Sequence, residues 1–388
     1  MLVPLAVLTA VPAMAQDRTG LGEGEVDRVK LGMVSDLSEL SLDEALGVDA
    51  PLHFSLYLFG DAGVTDELRG PTRVLPSFAL GPIGLLASGA VGSGVKALSE
   101  LVLESDDAGV IHLEVERLHL RWSGEYLSVT AGRVHTPIGY WNPAFHHGNF
   151  IQPTILRPRF VAFEDEGGLI PAHAVGVFGG AMLPVATGSL QLDLGVANGR
   201  GGTADDVRIL EDTNDAKSIV VRVAAADLGV TDLQAGAGAL VDRIAAEPAA
   251  IRPALPDVAI DEAVVNLFAA YTGPSLTVIA EAYYLLHRAQ SRRWIHLDAF
   301  ALVAYRFERL TPYLRVEWSE DRGGPDPFFS PAVATVADAP ADRRGEGVVG
   351  LRFETGAWNA IKLEYRPRAA LPRGRVIHAL EATWAFEI

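Results

Sequence analysis

From residue 52 onward the chain alternates apolar and polar positions in repeated segments of about ten residues. In one such segment, Ile361, Leu363 and Tyr365 share one face, and the residues between them are charged. Alternation with a period of two is typical of β-strands whose two faces meet different surroundings. The pattern predicts sixteen strands, centred on 52–61, 78–91, 96–105, 111–122, 127–137, 172–183, 189–198, 216–226, 233–242, 263–272, 276–287, 294–307, 311–319, 347–355, 359–366 and 376–388.

The fourth predicted strand contains a shift in this alternation. Its apolar positions are odd-numbered up to Val115 and even-numbered from Leu118 onward. One extra residue in a strand produces such a shift, because two residues then oppose one on the neighbouring strand. The sequence therefore predicts a β-bulge at Glu116-Arg117.

The lengths of the connections distinguish two all-β folds that share this alternation. A soluble β-sandwich also alternates apolar and polar positions. Here the connections after every second strand are short, whereas the others include five long ones, at 62–77, 138–171, 199–215, 243–262 and 320–346. Short turns at one rim and long loops at the other are typical of outer-membrane β-barrels.

Aromatic residues at strand ends favour the same fold, because aromatic girdles lie at both membrane interfaces. Five of the six tryptophans occupy such positions, namely Trp122, Trp294, Trp318, Trp358 and Trp384. The last strand resembles the C-terminal strand of bacterial outer-membrane proteins, with Leu380, Ala382, Trp384, Phe386 and Ile388 on one face. We therefore predict an all-β fold, a transmembrane antiparallel β-barrel of about 16 strands with a long inward-folded third loop.

Composition and charge limit the classes of function. The 388 residues are 49% hydrophobic and include no cysteine, which excludes disulfide scaffolds, zinc–thiolate sites, iron–sulfur clusters and thiol catalysis. The formal net charge is −17, so the chain lacks the basic surface that a nucleic-acid-binding protein needs. After the first residues, no apolar run reaches the ~18 residues of a membrane-spanning helix.

The N-terminal region predicts the cellular location. An apolar run over residues 1–11 precedes Ala13-Met14-Ala15, which has the small-x-small pattern of a signal-peptidase site. We therefore predict a signal peptide at 1–15, an acidic periplasmic lead-in segment at 16–50 and the barrel at 51–388. This organisation predicts a protein of the bacterial outer membrane.

The polar faces of the strands are expected to line the barrel interior, because the outer faces meet lipid. Acidic and basic residues often lie two positions apart on these faces, as Arg352 and Glu354 do. Two interpretations stay open: ion pairs that stabilise the inner wall, or a polar surface for aqueous solutes. The lumen-lining candidates are Glu100, Glu114, Glu116, His119, Arg121, Arg315, Glu317, Arg352, Glu354, Lys362 and Glu364.

The third loop is the longest connection, and loops of this length usually have a function. Its apolar and aromatic content predicts that it folds against the inner wall. Pro158 keeps Arg157 and Arg159 on extended backbone, where they either face acidic residues across the pore or bind wall carboxylates such as Glu114. The pore-constriction candidates are His146, His147, Arg157, Arg159, Glu164, Asp165 and Glu166.

The same region resembles a known family. The segment 133–173, with Leu98-Ser99-Glu100-Leu101 and Glu116-Arg117-Leu118-His119-Leu120 before it, is similar to bacterial porin-like outer-membrane proteins related to the phosphate-selective porins. The likeness is best over 95–200. It implies a sixteen-stranded channel, often a homotrimer, whose third loop narrows the pore. Phosphate selectivity is not implied, because those porins use lysine-rich surfaces and this chain has four lysines.

Two chemical alternatives receive less support. Four histidines (His135, His146, His147 and His173) and the acidic run at 164–166 are candidate metal ligands. However, adjacent histidines point in different directions on extended backbone, and no His-Glu-x-x-His motif occurs, so no metal and no cofactor are predicted. An enzyme is not predicted either, since the chain has no Gly-x-Ser-x-Gly motif.

The sequence thus predicts a porin-like channel for passive diffusion of small hydrophilic solutes or ions. Its expected partners are outer-membrane lipid, these solutes and, by the resemblance, two further copies of the chain. The alternative is a non-conducting outer-membrane barrel that acts as a scaffold or binding protein.

Overall fold

The computed structural model describes residues 54–69, 72–73, 77–105, 109–146, 148–163, 167–204, 206, 211–212, 214–330, 342–371, 374 and 376–387. The predicted signal peptide and lead-in segment lie outside this range. The strands are β1 Phe54–Arg69, β2 Thr72–Arg73, β3 Ser77–Gly92, β4 Val95–Ser105, β5 Ile111–Ser123, β6 Leu127–His135, β7 His173–Val185, β8 Gly188–Asn198, β9 Lys217–Ala226, β10 Leu233–Ile244, β11 Ile260–Thr272, β12 Leu276–Ala289, β13 Arg292–Tyr305, β14 Leu310–Arg322, β15 Asp342–Gly356, β16 Asn359–Leu371 and β17 Val376–Glu387. A short helix, α1, spans Trp141–Ala144, and a 3₁₀ helix spans Arg159–Val161. No helix among these residues is long and apolar enough to cross a membrane.

The strands form one closed antiparallel sheet. Each long strand pairs with its neighbours in chain order, and β1 pairs with β3 on one side and with β17 on the other. The two-residue strand β2 only extends the end of β1. Within the described residues, sixteen long strands therefore close the ring, which confirms the predicted barrel.

The predicted β-bulge is confirmed. Glu100 on β4 pairs with Arg117 on β5, and the next residue, Leu101, pairs with Val115. Glu116 is therefore the extra residue of β5. The bulge brings both Glu116 and Arg117 to the inner side, where Arg117 binds Glu100.

The outer surface of the barrel is apolar. Leu363 on β16 and Val349 on β15 expose 54% and 56% of their surfaces, and the same face of most other strands also exposes large apolar residues. A soluble protein would not expose such a band, whereas a closed barrel with an apolar exterior satisfies its backbone in lipid. The chain is therefore an outer-membrane barrel.

Several strands continue beyond their predicted ends. The alternation predicted that the first strand ends at 61 and that the fourteenth begins at 347, but β1 continues to Arg69 and β15 begins at Asp342. The apolar alternation marks only the part of a strand that faces lipid. Backbone hydrogen bonds between strands do not depend on lipid, so these strands continue to pair after the alternation ends. Trp294 also differs from its expected place in an interfacial girdle. It is 1% exposed and packs with Ile244 and Phe328 inside the barrel.

A hydrophobic cluster fills part of the barrel interior. Trp141, Phe160 and Ile170, from the connection between β6 and β7, pack against inward-facing wall residues such as Phe268 and Leu302. The sequence analysis missed this apolar inner surface, because β9 to β13 carry apolar residues on both faces. The connection covers the inward-facing apolar residues of the wall and removes them from water. This burial is the main driving force that holds the connection inside the barrel.

Candidate functional site

The connection between β6 and β7, residues 136–172, is called the lumen loop here, and its described residues lie inside the barrel. It turns inward at Gly139, whose φ of +70° favours glycine. A Cβ atom there would lie 2.3 Å from Oε2 of Glu281. This close approach lets Glu281, on β12, accept hydrogen bonds from the backbone N–H groups of Tyr140 (3.1 Å) and Trp141 (2.7 Å) at the start of α1.

Charged residues of β14 and β16 bind the middle of the lumen loop through its backbone. Arg315 donates to the carbonyl oxygen of Leu156 at 2.6 Å. Glu364 accepts from the N–H of Ile155 at 2.5 Å, and Glu317 accepts from the N–H of Arg159 at 2.9 Å. Three predicted lumen-lining residues therefore anchor the loop.

Two further cations of the predicted set have the same role. Lys362 is fully buried and donates to the carbonyl oxygens of Asn149, Gln152 (2.7 Å) and Thr154 (3.3 Å). Arg352 donates to the carbonyl oxygen of Phe150 and lies over its ring. Glu354 holds the other side of Arg352 at 3.2 Å.

Contacts on other sides of the wall show that the loop crosses the lumen. Arg222 on β9 donates to the carbonyl oxygen of Gly139 at 2.9 Å. Arg200, which follows β8, donates to the carbonyl oxygen of Leu169. Asp61 on β1 accepts from the side chain of Asn149 at 2.8 Å. The loop thus contacts β1, β9, β12, β14, β15 and β16, and the described wall holds it on opposite sides.

The two arginines that flank Pro158 have different partners. Arg157 turns into the lumen loop, where it donates to the carbonyl oxygens of Val161 and His146, both at 2.5 Å, and to Asn142 Oδ1 at 3.0 Å. Arg159 reaches the wall and binds Asp321 on β14 at 3.0 Å. Arg157 therefore organises the loop, whereas Arg159 ties it to the barrel.

The other predicted candidates lie on β4 and β5 or outside the described residues. Glu100 binds Arg117 at 2.6 Å, and Arg121 donates to Ser128 at 3.4 Å. The Nδ1 atom of His119 lies 3.3 Å from the carbonyl oxygen of Arg133, and Glu114 is half-buried on β5. The candidates outside the described residues are His147, Glu164, Asp165 and Glu166.

Two cavities lie on opposite sides of the lumen loop. The larger has a volume of about 580 Å³ and extends to the rim with the short turns, where Pro274 and Trp358 line it. The smaller, about 40 Å³, lies among the long loops and is lined by Arg200 and Phe328. Short turns face the periplasm in outer-membrane barrels, so we call the larger cavity the periplasmic vestibule.

Three histidines lie between these cavities and are called the lumen histidine cluster. His135 and His146 line the periplasmic vestibule, and His173 lines the smaller cavity. One ring nitrogen from each histidine lies within 4.8 Å of the other two. The sequence analysis named these residues as candidates but could not bring them together, because the contact depends on strand register and loop path.

A second histidine cluster was not recognised from the sequence. His287 on β12 and His296 on β13 both bind Asp326, at 2.8 and 2.9 Å. Their other ring nitrogens bind Glu262 and Asp321, each at 2.8 Å. Asp326 lies in a connection that was expected to be an external loop, and no local pattern indicates that it enters the barrel.

Asp326 has a strongly perturbed pKa. Burial by itself would raise the pKa of this carboxyl group. The positive charge of His287 and the hydrogen bonds from both histidines outweigh burial and hold the pKa well below its usual range. Asp326 therefore stays ionised as the shared partner of two cations.

Comparisons with known proteins support the fold. A scan against protein-family models finds no match, and no curated protein is significantly similar in sequence. Among solved structures, the anion-selective porin from Comamonas acidovorans matches with a TM-score of 0.60 and 13% identity, over 87% of this chain and 100% of that one. The outer-membrane-expressed OmpT of Vibrio cholerae matches with a TM-score of 0.58 and 10% identity, over 88% and 99%. The outer membrane channel DcaP of Acinetobacter baumannii matches with a TM-score of 0.57 and 10% identity, again over 88% and 99%.

The barrel has the porin fold. At identities of 10% to 13% the likeness concerns the fold alone. It does not identify the phosphate-selective porins as the family of this chain.

Proposed function

We propose that this porin-fold protein is an outer-membrane channel through which small hydrophilic solutes or ions diffuse passively. The observation that carries the proposal is the periplasmic vestibule of about 580 Å³, which ends at the lumen loop inside the barrel. In this proposal the lumen loop constricts the pore, and the predicted lumen-lining residues hold it in position.

Most of the lining of the vestibule is apolar, and its charged residues are what supports hydrophilic solutes. Charged residues of both signs reach this cavity, among them Glu100, Arg117, Arg306, Arg352 and Glu387. Mixed charges on the wall of a water-filled pore favour polar over apolar solutes. Since the cavity also contains aromatic side chains, a solute with a polar edge and an apolar face would fit this lining.

Conductance through planar lipid bilayers tests the proposal. Purified, refolded protein without a tag should produce discrete current steps in potassium chloride. Protein that is correctly folded, as judged by its heat-dependent mobility on SDS gels, but produces no steps would contradict the channel.

One observation favours the alternative of a non-conducting binding barrel. The lumen loop forms a hydrophobic cluster with the inner wall, including Trp141 and Phe160, and a plugged barrel would have the same contacts. A liposome-swelling assay with sugars of increasing size distinguishes the channel from the binding barrel. A channel should admit the smallest sugars, whereas a binding barrel should admit none.

We also propose that the chain assembles as a homotrimer. OmpT of Vibrio cholerae, a fold relative at 11% identity and a TM-score of 0.56, is described in a trimer form. We extend that assembly to this chain because Phe78 and Leu80 on β3 and Ile111 on β5 are among its most exposed apolar side chains. Analytical ultracentrifugation in detergent should then give the mass of three chains.

We also propose that the chain is related to the phosphate-selective porins, on the resemblance over 95–200. Selectivity for phosphate is not proposed.

A further inference from the structure

We propose that the lumen histidine cluster, His135, His146 and His173, binds one transition-metal ion together with the carboxylate of Glu116. The probe that represents this class is Zn²⁺. The site lies where the lumen loop leaves β6 and returns to β7, between the periplasmic vestibule and the smaller cavity. The inference concerns metal binding and does not depend on whether the barrel conducts.

Strand register and the β-bulge bring the donor groups together. His135 is the last residue of β6 and pairs directly with His173, the first residue of β7, and directly paired residues project to the same face of a sheet. Glu116 projects from the bulge of the adjacent β5, and its Oε2 atom lies 2.5 Å from Nε2 of His173. His146 follows α1, and its ring stacks on that of His135 at 3.6 Å.

The spacing of the donor atoms is close to that of a metal site. The ligand atoms of the three histidines all lie within 4.8 Å of one another, and the Nε2 atoms of His146 and His173 are 2.7 Å apart. A tetrahedral ion with bonds of ~2.0–2.1 Å holds its ligand atoms about 3.4 Å apart. On binding, the longest spacing must therefore contract by up to about 1.4 Å, and the contact between His146 and His173 must open by about 0.7 Å.

The lumen loop dictates the tautomer of His146. The side-chain NH₂ of Asn142 donates to the carbonyl oxygens of Thr136 and Ala172, both at 3.0 Å, so its Oδ1 atom must accept. This oxygen lies 3.0 Å from Nδ1 of His146 and also accepts from Arg157. Nδ1 of His146 therefore carries the hydrogen, and Nε2 presents its lone pair to the cluster, as a ligating histidine with an outer hydrogen bond does.

The Nε2 atom of His173 lies close to two acceptors. The lone pair of His146 Nε2 is 2.7 Å away, and Oε2 of Glu116 is 2.5 Å away. A neutral imidazole nitrogen carries at most one hydrogen, which can point to only one of these acceptors. A metal ion placed among the three atoms accepts a lone pair from each of them, which a single hydrogen cannot do.

The donor set and the local charge define the class of ion. Three imidazole nitrogens with one carboxylate suit Zn²⁺, Ni²⁺ or Cu²⁺, whereas Mg²⁺ and Ca²⁺ prefer oxygen ligands. Arg117 and Arg133 lie near the cluster, and their positive charge disfavours any cation there. Glu100 offsets the charge of Arg117 at 2.6 Å, and its Oε2 atom lies 3.6 Å from Nε2 of His135.

Isothermal titration calorimetry on the folded, tag-free barrel in detergent tests the site. Zn²⁺ should bind with a stoichiometry of one ion per chain, and Mg²⁺ should not bind. H146A and H173A should each weaken Zn²⁺ binding by about tenfold or more. His378 on β17 stacks on Tyr365, away from the lumen histidine cluster, so H378A is the matched control and should bind like the wild type.

The absence of saturable Zn²⁺ binding, or equal binding by H146A and H378A, would overturn the proposal. A second measurement covers variants that do not fold. The wild-type barrel loaded with one equivalent of Cu²⁺ should give an electron paramagnetic resonance spectrum with hyperfine splitting from coordinated nitrogens. A spectrum of purely oxygen-coordinated Cu²⁺ would place the ion elsewhere and overturn the assignment.

Discussion

The two histidine clusters of the barrel contain the same residue type in opposite surroundings. At His287 and His296, each ring nitrogen meets a carboxylate at 2.8 or 2.9 Å. In the lumen histidine cluster, imidazole nitrogens meet one another, and the carboxylates of Glu116 and Glu100 lie at 2.5 Å and 3.6 Å from His173 and His135. The first arrangement has anionic partners for all four nitrogens, whereas the second brings one ring nitrogen from each of three histidines within 4.8 Å of the other two.

This difference assigns the clusters different roles. The cluster around Asp326 belongs to a chain of ion pairs in the order Arg159, Asp321, His296, Asp326, His287, Glu262 and Arg200. The chain begins on the lumen loop with Arg159 and returns to it through the hydrogen bond from Arg200 to the carbonyl oxygen of Leu169. Such a chain fixes the loop in place. The lumen histidine cluster lies at the other edge of the loop and lines both cavities, so an ion or solute can reach it.

The largest expected effect is the loss of the shared carboxylate. D326A leaves two buried histidines without their common partner, so we expect the barrel to lose about 3–5 kcal/mol of unfolding free energy. Urea titrations in lipid vesicles measure this loss. The control is D261A, which removes an exposed pair with Arg243 and should cost no more than about 1 kcal/mol. Equal costs would show that the Asp326 cluster is not a structural tie.

Removal of the lumen loop breaks the lumen histidine cluster and shortens the chain of ion pairs around Asp326. Deletion of 144–166 eliminates His146 from one cluster and Arg159 from the chain of ion pairs. We expect single-channel conductance to rise several-fold, because an unobstructed sixteen-stranded barrel encloses a wide aqueous lumen. A milder variant, E281A, releases the backbone of Tyr140 and Trp141, together with the side chains of Asn266 and Tyr283, and should raise conductance less. A folded deletion variant with wild-type conductance would exclude the loop from the constriction.

Zinc should distinguish the clusters in a conducting barrel. Occupation of the lumen histidine cluster adds positive charge and bulk between the cavities, so Zn²⁺ should lower single-channel current by roughly half or more. H146A should abolish this block, and H378A should retain it. Block that persists unchanged in H146A would locate the blocking ion at another site, even where calorimetry supports the lumen cluster.

The smallest expected effect is a difference in how the two clusters respond to pH. A carboxyl group whose folded pKa lies below its unfolded value, about 3.9, stabilises the fold above that value and loses this contribution as pH falls further. The depressed pKa of Asp326, which faces His287, His296 and Arg252, therefore predicts little change in unfolding free energy from this group between pH 7 and pH 5. Zinc affinity should fall over the same interval, because protons compete for imidazole. Urea titrations of the wild type and D326A at pH 7 and pH 5 isolate the contribution of Asp326, and calorimetry gives the zinc affinity. A cost of D326A that falls in step with the zinc affinity would contradict the separation.

The sequence alone determined the barrel. Alternation with a period of two is a local property, so it identified all sixteen strands, and the phase shift at Glu116 located the β-bulge that the structure contains. The sequence also placed Arg315, Lys362 and Glu364 on the inner face, because lipid excludes charge from the outer one.

Only the tertiary structure decided what these inner residues bind. Glu364 accepts a hydrogen bond from Ile155, which lies 209 positions away, and no local pattern encodes a contact of that range. Trp294 and Asp326 were misjudged for the same reason, since an inward-folded loop changes what is buried. His135, His146 and His173 meet because strand pairing joins the first to the third and the turn at Gly139 brings the second back across the lumen.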